Sequence, residues 1–470
     1  MSISVISRNQ QLVNYIASTT HRIHPPDVID AAKRALVDFL AVAVGATGHA
    51  CVKPVRATVM QWNAQGGARL FLGPQTTPSL AAFANGTMAH AMDYDDTHPG
   101  GAGHPSACCW SSALALAEHH HLPPAIALSA FITGYEVMTK LGGGYVMGVG
   151  RSLQRRGLHP TSVVGRSGAA ATASVLLNLS APQIANALGV AATTAGGLVG
   201  SFGTHGKPFH AGKAAMDGIL SAELAANGFE AATHLYELGA LAPDESSDTV
   251  AKEKAHRAGL LDVFIQDHAV EPLPLDFDQS YEIRTNAFKP YASCRATHPS
   301  IQAAISLSSK IKDRTIQRIV AQVHPNSLIT AGRLNPQNAL QGKFSLPFCI
   351  AMALSGYPMV DSDFTDEKLK DPVIMPLVPQ VRLVAVEGQA PYCAHLTVHF
   401  HDGESLSAHT DIVIGHPDNP MSWQALETKF MGLTVPLLGD TKANALFKLA
   451  QSFDQLNTIP EISRLLSQAP

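Results

Sequence analysis

Asp93-Tyr94-Asp95-Asp96-Thr97-His98, followed across Pro99, Gly100, Gly101 and Gly103 by His104-Pro105-Ser106, is the stretch on which the reading of this chain turns. Three carboxylates, a hydroxyl and two imidazoles are crowded between two alanine-rich segments of helical pattern, Pro78 to Met92 and Pro105 to His119. Carboxylates and imidazoles held together move protons near neutral pH, because their pKa values bracket it and each perturbs the other. Two other readings stay open at this point. Asp93, Asp95, Asp96, His98 and His104 offer metal ligands, although without the spacing of an HExxH or EF-hand motif. Asp and Thr also cap helix ends as plain structure.

Outward from this loop the pattern is helix after helix. Asp27 to Val44 places Ile29, Ala32, Leu36, Phe39 and Leu40 on one face and stops at Gly45. Pro124 to Leu141, Thr161 to Leu177, Ala181 to Ala195 and Phe209 to Ala226 follow, several with proline in the first turn, where a missing N–H costs nothing. Around Glu282 the texture changes. Arg318 to Val323, Gln380 to Val386 and His395 to His401 alternate like strands, and Asp402-Gly403 is a hairpin turn leading to Ser405 to Ile414. Helices at Thr297 to Lys310 and Ser345 to Ser355 interleave with them. From Met421 the pattern is helical again. The expectation is a mainly α protein: a large helical domain over 1–283, an inserted smaller α+β lid domain over 284–420, and a helical return over 421–470.

The 470 residues are ample for two cores. Hydrophobic residues at 46% against 15% charged leave little charge to cover a monomer's surface, so a homodimer is expected. A net charge of -4 without a basic run gives no footprint for nucleic acid. The six cysteines (Cys51, Cys108, Cys109, Cys294, Cys349, Cys393) form no CxxC pair and read as thiols in a reducing compartment. The beginning of the chain has no basic-then-apolar signal, and the uncharged stretch 184–204 is interrupted by five glycines. The expectation is a cytoplasmic protein with no membrane partner.

Three further constellations carry chemistry. Gly157-Leu158-His159-Pro160-Thr161 puts an imidazole at the mouth of a helix, where orphan N–H groups attract an anion. Gly203-Thr204-His205-Gly206-Lys207-Pro208-Phe209-His210-Ala211-Gly212-Lys213 lacks the Walker spacing, so no nucleotide is implied; its glycines, lysine and histidines suit recognition of a carboxylate. Phe288 to Pro299 brings Lys289, Cys294, Arg295 and His298 together where the small domain begins.

In this order the segments resemble the MmgE/PrpD family. The residues that carry the resemblance are Asp93 to His98 with Gly103-His104-Pro105-Ser106, Gly157 to Thr161, His205-Gly206-Lys207-Pro208 through Gly212, Lys289-Pro290-Tyr291 leading to Cys294, and Lys343-Phe344-Ser345-Leu346-Pro347. The family includes 2-methylcitrate dehydratase, cis-aconitate decarboxylase and iminodisuccinate epimerase, which handle small polycarboxylates with no required metal or organic cofactor. The resemblance implies a helical domain plus a lid, a dimer, and site residues at Asp93, Thr97, His104, His159, Lys207 and Lys289. It favours a lyase, either dehydrating a citrate-like hydroxy acid or decarboxylating an unsaturated tricarboxylate. The alternative is an epimerase of a small dicarboxylate, and a non-catalytic small-acid binder is more distant.

On this reading His104 and His159 serve as acid and base, Asp93 orients an imidazole, and Thr97 bonds substrate or Asp93. Lys207 and Lys289, with the helix start at Thr161, hold carboxylates. Cys294 and His210 complete the substrate-binding set. Cys294 stands where animal cis-aconitate decarboxylases have histidine and other members have cysteine. Those decarboxylases also carry a lid tyrosine, whereas no tyrosine lies between Tyr291 and Tyr357 here.

Overall fold

The computed structural model describes residues 6–101, 103–143, 149–237, 258–264, 275–277, 279–311 and 314–467. The chain divides into two compact units, one formed by residues 1–91, 95–286 and 423–470 and the other by residues 92–94 and 287–422. The first is helical and the second is α+β, so the fold is mainly α with a smaller mixed part. Among the described residues no single helix is long and apolar enough to cross a membrane.

The helical unit is built around Pro78–His90, a helix buried on every side except at Ser79. A helix without a polar face belongs at the centre of a bundle, and this one is surrounded by Pro26–Gly45, Pro105–His119 and Gly206–Ala226. Its closest neighbour is Gly206–Ala226, and small residues make that approach possible. A Cβ at Gly212 would lie 2.1 Å from the Phe83 carbonyl oxygen and 2.2 Å from Thr87 Oγ1, and one at Gly86 would lie 3.0 Å from Gly212 Cα. The two backbones therefore touch where side chains would hold them apart, and this contact brings Lys207, in the first turn of one helix, to His90 at the end of the other. Pro26, Pro78, Pro105, Pro124 and Pro160 each open a helix, as their positions predict.

Differences from the expected helices are local. The Thr161 to Leu177 helix is divided into Pro160–Val163 and Gly165–Leu176, because Val164 (φ -85°, ψ -17°) loosens the ladder where Gly165 packs against Cys108. The upstream helix ends at His90, two residues short of Met92, and Asp93 then adopts a left-handed φ of 52°. The returning segment Trp423–Gln451 is broken at Gly439 (φ 74°) and packs on Pro26–Gly45, where Lys429 Nζ donates to Asp38 Oδ1 at 2.6 Å in the interior.

In the second unit four strands are ordered Val381–Ala385, Ile316–Val323, Ala394–Phe400, Ser405–Thr410; the first pair is parallel and the others antiparallel. Ala394, Leu396, Val398 and Phe400 point inward in strict alternation. Helix His298–Ser308 packs on the last two strands and against Leu346–Leu354, which is capped by Ser345 Oγ.

Candidate active site

Within the helical unit a cluster forms around one buried carboxylate. His90 closes the Pro78–His90 helix, and His104 stands immediately before Pro105, at the start of Pro105–His119. The connecting loop is pinned by His98. Its N–H donates to the Gly103 carbonyl (3.0 Å), and its Nε2 lies 3.0 Å from Thr285 Oγ1 and 3.1 Å from Glu282 Oε2. Gly103 (φ 80°) lies against Thr161, whose Oγ1 would be 2.3 Å from a Cβ there, and the His104 N–H donates to that same hydroxyl at 3.2 Å. The predicted residue Thr161 therefore positions His104.

Asp95 sits beneath both imidazoles. Its Oδ2 is 2.9 Å from His90 Nδ1 and 3.0 Å from His104 Nδ1. The Lys207 Nζ is 3.0 Å from His90 Nε2. The His90 ring is 4.2 Å from that of His104 and 5.8 Å from that of His159, centroid to centroid. His159 Nδ1 lies 3.0 Å from His210 Nδ1, and Phe202 packs edge-on against His159. Thus His104, His159 and Lys207 gather around His90, His210 stands against His159, Thr161 bonds the His104 backbone, and Thr97 is buried in the acidic loop. His104 keeps about 10% of its side chain exposed, whereas the His90 ring has none.

Charge follows from this geometry. Burial, opposed by Asp95 and reinforced by Lys207, lowers His90 to about 3, and it is neutral. Burial would raise Asp95, but the His104 and His90 imidazoles outweigh it and hold the carboxyl well below its usual range. Burial and the Lys207 ammonium keep His159 well below the ordinary imidazole value. Burial and Arg166 lower His210 to about 4. The neighbouring Asp96 is the opposite case. Burial and the nearby Asp38 push it up to about 8, its Oδ2 accepts from Ser106 Oγ (2.6 Å) and Asn286 Nδ2 (2.7 Å), and its Oδ1 has no partner among the described residues. Two adjacent carboxyls thus hold opposite charge states, which is how a site separates an orienting anion from a structural acid.

The other predicted residues belong to the second unit. Lys289 Nζ donates to Asp93 Oδ1 and to the Asp93 carbonyl, both at 2.7 Å, in the interior of that unit. Lys343 Nζ donates to the Met92 carbonyl and Asp361 Oδ1, each at 2.6 Å, so Met92 and Asp93 are each held by a lysine. Cys294 is part-exposed, and its N–H donates to the Lys343 carbonyl at 2.9 Å. The carboxylate beneath His90 and His104 is Asp95, which is not among the site residues expected from the sequence. His90 was not foreseen as a site residue at all. The only signal for it is a histidine ending an otherwise apolar helix next to the acidic loop.

His90, Asp95 and His104 present donor atoms within 4.8 Å of one another, which is close enough for metal ligation. A metal-bound imidazole gives its second N–H to an acceptor. Here the second nitrogen of His90 faces the Lys207 ammonium, a cation with nothing but donors, so the group does not suit a divalent ion.

Comparison with known proteins agrees with this architecture. The MmgE/PrpD N-terminal domain matches residues 10–242 and the MmgE/PrpD C-terminal domain matches residues 291–455. The chain belongs to the MmgE/PrpD family. Members similar to it include the cis-aconitate decarboxylase of Homo sapiens, 29% identical over 83% of this chain and 79% of that protein. That of Mus musculus is 26% identical over 93% of this chain and 89% of the relative, and that of Aspergillus terreus 24% identical over 94% and 92%.

Proposed function

We propose that this MmgE/PrpD protein is a lyase that acts on a small polycarboxylate by imidazole acid–base catalysis. The observation that carries the reading is the convergence of His104, His90 and Lys207 around an ionised, fully buried Asp95. Lyase chemistry on such acids develops carbanion-like charge beside a carboxylate, and preorganised cations and dipoles stabilise that charge. Lys207 supplies the cation. His104, with Nδ1 turned to Asp95, leaves Nε2 to exchange a proton with substrate, and the carboxylate stabilises the ring as it becomes charged. His159 is neutral and suited to hydrogen bonding or to taking a proton.

Decarboxylation of a cis-aconitate-type acid is the first reading, supported by the activities in the names of the relatives. Loss of CO2 leaves the bonding electron pair on a carbon chain conjugated with a remaining carboxylate, and an imidazolium returns one proton to it. Dehydration of a citrate-type acid is the second reading, favoured by Cys294 at the position where animal decarboxylases carry histidine. There the base removes a proton next to a carboxylate, a double bond forms, and hydroxide leaves as water with a proton from the acid.

The test is incubation of purified protein in deuterated water with cis-aconitate, citrate, 2-methylcitrate and iminodisuccinate-type acids, followed by mass spectrometry and NMR. A product lighter by CO2 and carrying one solvent deuteron supports decarboxylation, and a new alkene supports dehydration. Exchange at an inverted carbon without elimination means an epimerase, and tight binding without turnover of any of them means a binding protein.

A further inference from the structure

We propose that His90 is a positioning residue that divides two tasks between its two ring nitrogens: Nδ1–H locks the Asp95 carboxylate on which His104 also rests, and Nε2 anchors the Lys207 ammonium. The proposal deepens the lyase reading, and its kinetic arm rests on that reading.

The protonation of the ring is dictated from both ends. An ammonium has three donors and no acceptor, so His90 Nε2, 3.0 Å from Lys207 Nζ, must present its lone pair. An ionised carboxylate only accepts, so His90 Nδ1, 2.9 Å from Asp95 Oδ2 and 3.1 Å from Oδ1, must carry the hydrogen. Asp95 requires a hydrogen on Nδ1 and Lys207 excludes one from Nε2, so the two partners together leave only the neutral ring protonated on Nδ1. The ring has no exposed surface, so it acts through its neighbours instead of meeting substrate.

Its position is fixed by the end of the central helix and by contacts with the rings of His104 and His159. Asp95 Oδ2 is thereby aimed at His104 Nδ1, and the Lys207 Nζ is held against His90 Nε2. The two tasks separate chemically: one concerns the proton-transferring imidazole, and the other the cation that meets a carboxylate.

Two substitutions divide them. The amide nitrogen of Asn reaches the place of Nδ1, so His90→Asn keeps the donor to Asp95 and gives up the acceptor for Lys207. The longer amide of Gln reaches the place of Nε2, so His90→Gln keeps an acceptor for Lys207 and gives up the bond to Asp95. His90→Asn is expected to raise KM by about tenfold or more, with a smaller change in kcat. His90→Gln is expected to lower kcat by about tenfold or more and to shift the pH profile of kcat, with a smaller change in KM. A merely structural residue would move both parameters alike in both variants, with a matching loss of Tm, and that result overturns the proposal. So does wild-type kinetics in either variant.

Neutron diffraction from deuterated wild-type crystals needs neither variant nor substrate. The expected map has a deuteron on His90 Nδ1, none on Nε2 and three on Lys207 Nζ; a deuteron on Nε2 overturns the assignment. If no polycarboxylate is turned over, the lyase reading fails while this map still decides the roles of the two nitrogens.

Discussion

Replacing Asp95 by Asn removes one charge and almost no volume. Asp95 is fully buried, and its Oδ2 serves His90 at 2.9 Å and His104 at 3.0 Å. The amide oxygen of Asn can occupy the same place, so the geometry survives while the charge that favours a protonated His104 is lost. A positioned acid or base contributes about 10²–10⁴-fold. At about 1.4 kcal/mol per decade, the variant is expected to lose about 3–5 kcal/mol of transition-state stabilisation. Folding responds less. Hydrogen bonds to a charged group contribute about 1.5–3 kcal/mol each, but removing the buried charge also removes its desolvation cost, so the net change should stay within about 2 kcal/mol. The assay is kcat/KM on the substrate found by the panel above, beside calorimetric Tm. Activity within threefold of wild type at an unchanged Tm would refute the role of Asp95, and a collapse of Tm in step with activity would make it structural.

His159→Ala should lower turnover by about 10²–10⁴-fold while circular dichroism stays that of the wild type; near-full turnover removes His159 from the chemistry. Gly212→Ala forces a Cβ to within 2.2 Å of Phe83 and Thr87 atoms, so overpacking should cost about 1–3 kcal/mol and spread Lys207 from His90, read as a lower Tm and a higher KM. A Tm equal to that of wild type contradicts the close packing. Asp96, held at about 8 against an ordinary 3.8, keeps its proton in the folded state where the unfolded chain has lost it. Its contribution to stability is therefore full below about pH 4, falls as pH rises through about 8, and is constant beyond. Because Asn needs no proton, Asp96→Asn should gain stability relative to wild type between pH 5 and pH 9 in denaturant titrations, and a pH-independent difference would show that Asp96 is already ionised.

Much of this was legible in the sequence because proline and alternation are strong local signals. Pro105 to His119 was bounded correctly at both ends, since Pro105 suits the first turn of a helix and His120 follows the last apolar turn. The strand expected over His395 to His401 from its alternation and the Asp402-Gly403 turn lies at Ala394–Phe400, one residue earlier. That His104, His159 and Lys207 belong to one site is implied by the family resemblance of their segments, and the structure places the three next to His90. What the sequence withheld was which carboxylate does what. Asp93, Asp95 and Asp96 are nearly contiguous, yet one holds Lys289 in the second unit, one orients two imidazoles, and one is neutral. That partition is set by residues far along the chain, such as Asn286 and Lys289. His90 was hidden for the same reason: at the end of a helix buried on almost every side, a histidine reads as core until the Lys207 helix is seen against it.

The central claim is that His104 exchanges a proton with substrate while Asp95 and His90 hold it in place. The direct measurement is turnover by His104→Gln under saturating substrate, with Tm measured on the same sample. A loss of about 100-fold or more in kcat at a wild-type Tm is the predicted result; turnover within a few-fold of wild type would contradict the account.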